Sequence, residues 1–492
     1  MKNYLISIFL CLFFYNSECQ PSFDIVITGG RVMDPETSLD EIKNVGIKDD
    51  RIVEISSKSL KGTLEIDATG LVVSPGFIDL HVHGMTNKAH IYQARDGVTT
   101  ALELEGGISF LREWIDFKTG NSIVNFGATV PHGQIRAKAM EAYNHYFTRS
   151  FEIINEEGFD SPNLDKIRIN LGRSGYQQLT DSEITLMKEM IKEELQSGAL
   201  GIGAPVGYYT GAGYDEIFSV YELAANFNVP IFSHTRNIGM SGIHEAISNA
   251  TTSGAPLHIV HANSLSLGDI QVTLDMVASA QDRGLDVTTE IYPYTAASTT
   301  LESQIFDGDW KDILKIDYSD IQWEATGERL TEKTFYEYRK EGGIVIIHMM
   351  KPEWLLKGIK DERTIIGSDG MPYAPGAHPR TAGTFSRVLG RYVREQKVID
   401  LMTALKKMTI LPAQRLEEIA PAMHQKGRLQ VGADADITIF DPKTIIDRAD
   451  FKGLQFSEGV EYVLINGELV VSDGKNVENV FPGRAVMGKY RR

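Results

Sequence analysis

Pro75-Gly76-Phe77-Ile78-Asp79-Leu80-His81-Val82-His83-Gly84 is the stretch on which the fold turns. An apolar strand leaves a Pro-Gly turn and ends in two histidines. Side chains alternate along a strand, so His81 and His83 share one face with Asp79. Two imidazoles at i and i+2 at a strand's C-terminal end can chelate one metal ion. Two histidines in a half-buried strand would look the same, so the motif needs company before it means a metal site.

The company comes from other strand ends. Pro230-Ile231-Phe232-Ser233-His234 and Leu257-His258-Ile259-Val260-His261 each carry a histidine just past an apolar run, and Ile365-Ile366-Gly367-Ser368-Asp369 ends in a carboxylate. Phe77–Val82, Val98–Leu104, Ile123–Val130, Ala199–Ile202, Val229–Phe232, Leu257–Val260, Val287–Ile291 and Ile365–Ile366 read as short strands. Helical stretches such as Ser182–Glu194 and Glu216–Asn226 fall between them. Repeated βα units predict an α/β fold, a (β/α)8 TIM barrel, whose strand C-termini meet at one mouth where catalytic groups sit. His81, His83, His234, His261 and Asp369 then converge as ligands for a hydrolytic divalent metal. His132 and His348 also stand at strand ends and compete. His258, three residues before His261, is expected on the opposite face. His90, His145, His244 and His424 read as surface or helix residues. Residues from about 304 to 341 read as an insertion before strand seven or eight.

Both ends of the chain have a different texture. Phe23–Thr28, Lys43–Ile47, Arg51–Ile55 and Thr63–Ile66 are short β-branched runs between turns. Near the other end Tyr462–Ile465 turns at Asn466-Gly467 into Glu468–Val471, a strong hairpin signal. The two ends are expected to fold together as a small β-sandwich. The boundaries that follow are 1–19, a signal peptide; 20–74, the first part of the sandwich; 75–420, the barrel; and 421–492, the second part.

The chain of 492 residues carries 49 Lys+Arg against 66 Asp+Glu, a net charge of −17, and this acidic balance argues against a binder of the nucleic-acid backbone. Met1-Lys2-Asn3 followed by the apolar run Tyr4–Tyr15 reads as a signal cleaved before Gln20, and the run is too short to span a bilayer. Export to the periplasm or the medium is the expectation, with a lipid anchor at Cys19 the lesser alternative. Cys11 and Cys19 are the only cysteines and both fall in that segment, so the mature chain has no thiol for a metal.

The run Pro75–His83 is similar to the opening metal motif of the amidohydrolase superfamily, and Gly432-Ala433-Asp434-Ala435-Asp436-Ile437 resembles its C-terminal sandwich strand. Within it, Gly97-Val98-Thr99-Thr100, Ser233-His234-Thr235-Arg236, Ile291-Tyr292-Pro293-Tyr294, His378-Pro379-Arg380 and Gly383–Gly390 resemble the D-aminoacylase (N-acyl-D-amino-acid deacylase) group. The resemblance covers roughly residues 23–470. It implies a hydrolase of carbon–nitrogen bonds other than peptide bonds that takes a small-molecule substrate. One or two zinc or similar divalent ions would be held by His81, His83, His234, His261 and Asp369, with Asp369 as proton shuttle. Arg380, Tyr292 and Ser298 would hold the substrate's α-carboxylate. Deacylation of N-acyl-D-amino acids by metal-activated hydroxide is the reaction implied. Cyclic-amide (dihydroorotase-like) hydrolysis, isoaspartyl dipeptide hydrolysis and a non-catalytic binding role are the alternatives. A homo-oligomer is compatible with all of these.

The chain departs from the group in two places. Where the group has a metal-binding cysteine after the Gly-Val-Thr-Thr strand, this chain has Gly106. Glu103 and Glu105 precede it on one strand face, and Glu105, nearer the mouth, is the expected substitute ligand. Where the group has a lysine near the substrate carboxylate, this chain has Asn263. Gly198–Gly207 contains no lysine, which closes the carbamylated-lysine alternative.

Overall fold

A computed structural model describes residues 23–492. The segment read as a signal peptide, with Cys11 and Cys19, lies outside the described residues. No helix among the described residues is long and apolar enough to cross a membrane.

The two ends of the chain meet in one nine-stranded sheet. Phe23–Asp34 pairs antiparallel with Leu39–Lys48 and parallel with Val72–Pro75. Val72–Pro75 in turn pairs antiparallel with Ile437–Phe440, Pro75 opposite Ile437. The alternating residues Ile25, Ile27, Val45, Ile47, Val73, Ile437, Ile439 and Leu464 form its buried core. Asn466 and Gly467 have φ of 49° and 82° between Val460–Ile465 and Glu468–Ser472. Left-handed φ at both positions is what a two-residue type I′ hairpin requires.

Between the two ends run the barrel strands. They are β1 (Phe77–Asp79), β2 (Val98–Glu103), β3 (Asn125–Ala128, continued by Val130–Pro131), β4 (Ile202–Pro205), β5 (Ile231–His234), β6 (Leu257–Ile259), β7 (Val287–Ile291) and β8 (Ile365–Ile366). β1 to β3 pair in parallel order, as do the end of β3 to β8. A parallel bridge between Val82 and Gly370, with the His83 N–H donating to Gly370 O at 2.7 Å, closes the ring. The strands are shorter than their apolar runs suggested, β1 ending at Asp79 and β6 at Ile259. Beyond those points the backbone leaves the ladder to place side chains at the mouth.

The insertion falls between β7 and β8. Ala297–Thr300, Ile321–Trp323 and Ile344–Ile347 form a separate antiparallel sheet over its own core, which includes Leu301, Phe306, Trp310 and Phe335. Glu324 at the end of this sheet is 8 % exposed, and its Oε2 has no hydrogen-bond partner among the described residues. Burial pushes its carboxyl up to about 7.

The two parts are joined by a buried charge cluster. Lys426 Nζ donates to Asp434 at 2.8 Å and to Asp436 at 2.7 Å. Asp436 also accepts from Asn125 Nδ2 of β3 at 2.9 Å and from the Asn466 N–H at 2.7 Å. Burial alone would lower the lysine's pKa, but the two carboxylates outweigh it and hold it above its usual value.

Two stability predictions follow from these contacts. Lys426→Met would leave the buried Asp436 carboxylate without a cation, Asp434 keeping Arg51 at 2.5 Å, and should cost about 3 kcal/mol in chemical denaturation. The Glu324 carboxyl has a folded pKa above its unfolded value, so its ionisation opposes folding and stability falls as pH rises from about 4.5 through 7. Glu324→Gln should therefore stabilise the protein more at pH 8 than at pH 5, by on the order of 2 kcal/mol in paired melts.

Candidate active site

Glu105, two residues beyond β2, is where the barrel mouth converges. Its Oε2 lies 3.1 Å from His81 Nε2 and 3.2 Å from His83 Nε2. Its Oε1 lies 2.9 Å from His234 Nδ1 and 3.1 Å from His261 Nε2. One carboxylate thus faces four imidazoles, with a pair of rings on each oxygen. Asp369 Oδ1 stands 3.5 Å from His81 Nε2 and 3.4 Å from His83 Nε2. Single ligand atoms of His81, Glu105 and His261, and of His81, His83 and Asp369, lie within 4.8 Å of one another. Nitrogen and carboxylate donors at this spacing suit zinc or a similar divalent ion.

Two of these residues reach the mouth through unusual backbone. His261 has φ of 28° and Asp369 of 53°, a region that costs a non-glycine residue energy and tends to mark functional sites. Local bonds hold the Asp369 turn. The Ser368 N–H donates to Asp79 Oδ1 at 2.9 Å, and Ser368 Oγ donates to His81 O at 3.2 Å.

The electrostatics are those of a site built for positive charge. Burial pushes the His81 and His83 pKa down, but the surrounding carboxylates outweigh it and raise both well above the usual value. For His81 these are chiefly Asp369, Glu290 and Glu105, and for His83 Glu103 leads. Burial pushes the Glu105 carboxyl up, yet the His81 charge and hydrogen bonds from His234 and His261 hold it well below its usual range. Burial wins at His234, whose pKa falls.

Glu103 sits behind Glu105. Its Oε2 is 2.8 Å from His83 Nδ1, and its Oε1 accepts the Gly106 N–H at 2.9 Å. A Cβ at Gly106 would meet that same oxygen at 3.3 Å, so position 106 faces Glu103 while Glu105 faces the four rings.

At the rim, Arg380 Nη1 pairs with Asp369 Oδ2 at 2.9 Å, and its guanidinium lies 4.7 Å over the Tyr292 ring. Arg380 Nη2 donates to Ser298 O at 3.4 Å. Asn263 is fully buried, and its Nδ2 donates to Tyr292 O at 3.2 Å and toward Met350 Sδ at 3.4 Å. All the residues expected at the site on sequence grounds are therefore close to one another.

The competing histidines are elsewhere. His132 is buried 2.9 Å from Glu216, beside Arg136, and His348 lies 3.1 Å from Gln322 in the insertion. The placement of His258 corrects the parity expectation. β6 ends at Ile259 and His261 turns in through a positive φ, so the alternation does not reach it. His258 points into the barrel, its Nε2 3.2 Å from Glu290 Oε2. Sequence reasoning missed Glu290, whose Oε1 lies 2.5 Å from His81 Nδ1. The available signal was a carboxylate inside the apolar strand Val287–Ile291. It also missed Tyr208, whose ring is 4.9 Å from that of His234 and whose hydroxyl lies 2.9 Å from Thr299 Oγ1.

A parallel barrel with imidazoles and carboxylates gathered at its C-terminal mouth is the frame of a metal-dependent hydrolase. The chain belongs to the amidohydrolase family, whose model matches residues 72–470. It is 29 % identical over 471 residues to the N-acyl-D-glutamate deacylase of Alcaligenes xylosoxydans xylosoxydans, covering 91 % of this chain and 93 % of that one. Its fold matches a D-aminoacylase crystal structure with a TM-score of 0.77 at 25 % identity, covering 94 % and 100 % of the two chains. It also matches N-acyl-D-glutamate deacylase from Bordetella bronchiseptica, solved with zinc and a phosphonate inhibitor, with a TM-score of 0.77 at 24 % identity, covering 94 % and 99 %.

Glu105→Ala removes the acceptor shared by all four rings, and the divalent metal retained per chain should fall below that of the wild type by elemental analysis. Glu103→Gln disturbs only the outer bond to His83 and should keep the stoichiometry while weakening retention by about 10- to 100-fold.

Proposed function

We propose that this protein is a zinc-dependent deacylase of N-acyl-D-amino acids. The observation that carries the reading is a set of buried donors at the rim. Among the described residues Arg380 Nε and Nη1 and Ser298 Oγ have no hydrogen-bond acceptor, the Arg380–Asp369 contact is an ion pair without hydrogen-bond alignment, and the Tyr292 hydroxyl stands beside Ser264 and Arg380. A substrate α-carboxylate would supply that acceptor. The planar guanidinium fork suits it, and two hydroxyl donors stand beside the fork.

His81, His83, His234, His261, Glu105 and Asp369 would hold the metal, Glu105 presenting one oxygen to each pair of rings. The bound ion supplies Lewis acidity toward the amide carbonyl and makes water acidic near neutral pH. Asp369, on the turn after β8, accepts the proton of the attacking water. It then delivers that proton to the leaving nitrogen, because an amide anion is too poor a leaving group. Arg380 would serve both ends of this arrangement, binding the substrate carboxylate 2.9 Å from the group that moves the proton. The products are a carboxylic acid and a free D-amino acid.

The deciding experiment is an assay of the purified protein against N-acetyl-D-amino acids, N-acetyl-L-amino acids and cyclic amides, with and without a chelator. Turnover of the D series alone, abolished by the chelator and restored by zinc, is expected. Turnover confined to cyclic amides overturns the reading. Asp369→Asn should still bind zinc yet lose about 10²- to 10⁴-fold in kcat, and Arg380→Met should act mainly by raising KM.

A further inference from the structure

We propose that His258 and Glu290 form a buried positioning chain that fixes the His81 ring as a metal ligand through Nε2. This rests on the metal-centre reading above and concerns residues behind the centre. The chain starts at Thr288 on β7, whose Oγ1 lies 2.8 Å from His258 Nδ1. His258 Nε2 then faces Glu290 Oε2 at 3.2 Å. Glu290 Oε1 faces His81 Nδ1 at 2.5 Å. Four residues from β6, β7 and the end of β1 thus make one line across the barrel interior.

Three observations support the assignment. His258, Glu290 and His81 are each at most 1 % exposed, so bulk solvent does not reach them. His258 Nε2 and Glu290 Oε2 have no hydrogen-bond partner among the described residues, and each is the polar atom the other faces. A small ring rotation would align them, and buried polar groups are rarely left unpaired. The space around Glu290 is also tailored. A Cβ at Gly367 would stand 2.7 Å from Glu290 Oε2, so a side chain there would push the carboxylate away from His258.

The chemistry follows from the donors. A carboxylate on Nδ1 holds the proton on that nitrogen and leaves the Nε2 lone pair for a metal. Such an outer partner fixes the ring plane and raises the basicity of the ligand. The His261 N–H donates to Glu290 Oε1 at 3.4 Å, and the second oxygen needs a holder of its own. His258, kept in place by Thr288, is the group that holds it. His258 touches neither substrate nor metal and acts through Glu290.

The test is zinc retention by the purified full-length protein, titrated against a chelator of known affinity. His258→Leu and Glu290→Gln should each weaken retention by about ten-fold or more. His258→Gln, whose amide N–H can reach Glu290, should recover most of it. In His258→Leu the kcat loss should be reversed by excess zinc with KM unchanged. A purely structural role would instead lower the melting midpoint of the metal-free protein equally in the Leu and Gln variants and leave retention alone. Wild-type retention in folded His258→Leu overturns the proposal. If that variant does not fold, wild-type retention in the isosteric Glu290→Gln does so. A wild-type protein that retains no zinc overturns the metal-centre reading, and this inference with it.

Discussion

The constraint on which the structure depends is a single buried carboxylate held against four imidazoles. Glu105 is 5 % exposed and takes two ring nitrogens on each oxygen. Burying a carboxylate is costly unless it is paired and hydrogen-bonded. The four rings come from β1, β5 and β6, so the pairing requires those strand ends to hold their spacing around β2. The parallel ladder and the Val82–Gly370 bridge supply that spacing. The arrangement uses no sulfur, which fits a chain whose cysteines both lie within its first 19 residues.

Much of the barrel and the inner ring of the site was legible because both depend on local order. Apolar runs ending in histidine or aspartate mark strand ends, and fold class then brings those ends to one mouth. Asn466-Gly467 names its turn by chemistry alone. Glu105 could be preferred to Glu103, which shares its strand face, because it lies two residues nearer the mouth. Tertiary pairing hid the rest. Glu290 meets His81 across 209 positions of chain, and no local pattern reports such a contact. His258 defeated the parity argument because β6 ends before His261 and the φ of 28° there resets the side-chain direction.

The site is organised in layers. Innermost are the four rings, Glu105 and Asp369. Behind them Glu103 and Glu290 take the outer nitrogens of His83 and His81. At the rim Arg380, stacked on Tyr292, sets a cation where a substrate acid can reach it. The division explains why residues of one type differ in role. Of the site's three glutamates, Glu105 faces the rings' inner nitrogens, and Glu103 and Glu290 face the outer ones.

The pairing of Val72–Pro75 with Ile437–Phe440 has a consequence for how the chain comes to be folded. During synthesis the first strands leave the ribosome more than 350 residues before their partner exists. At about 5–20 residues per second that is roughly 20–70 s with an open edge rich in β-branched residues. Until the last segment arrives, the opening strands can be completed only by something else. Closure of this sheet is therefore a late step in the life of the chain, and the period before it is when the protein is most exposed to aggregation.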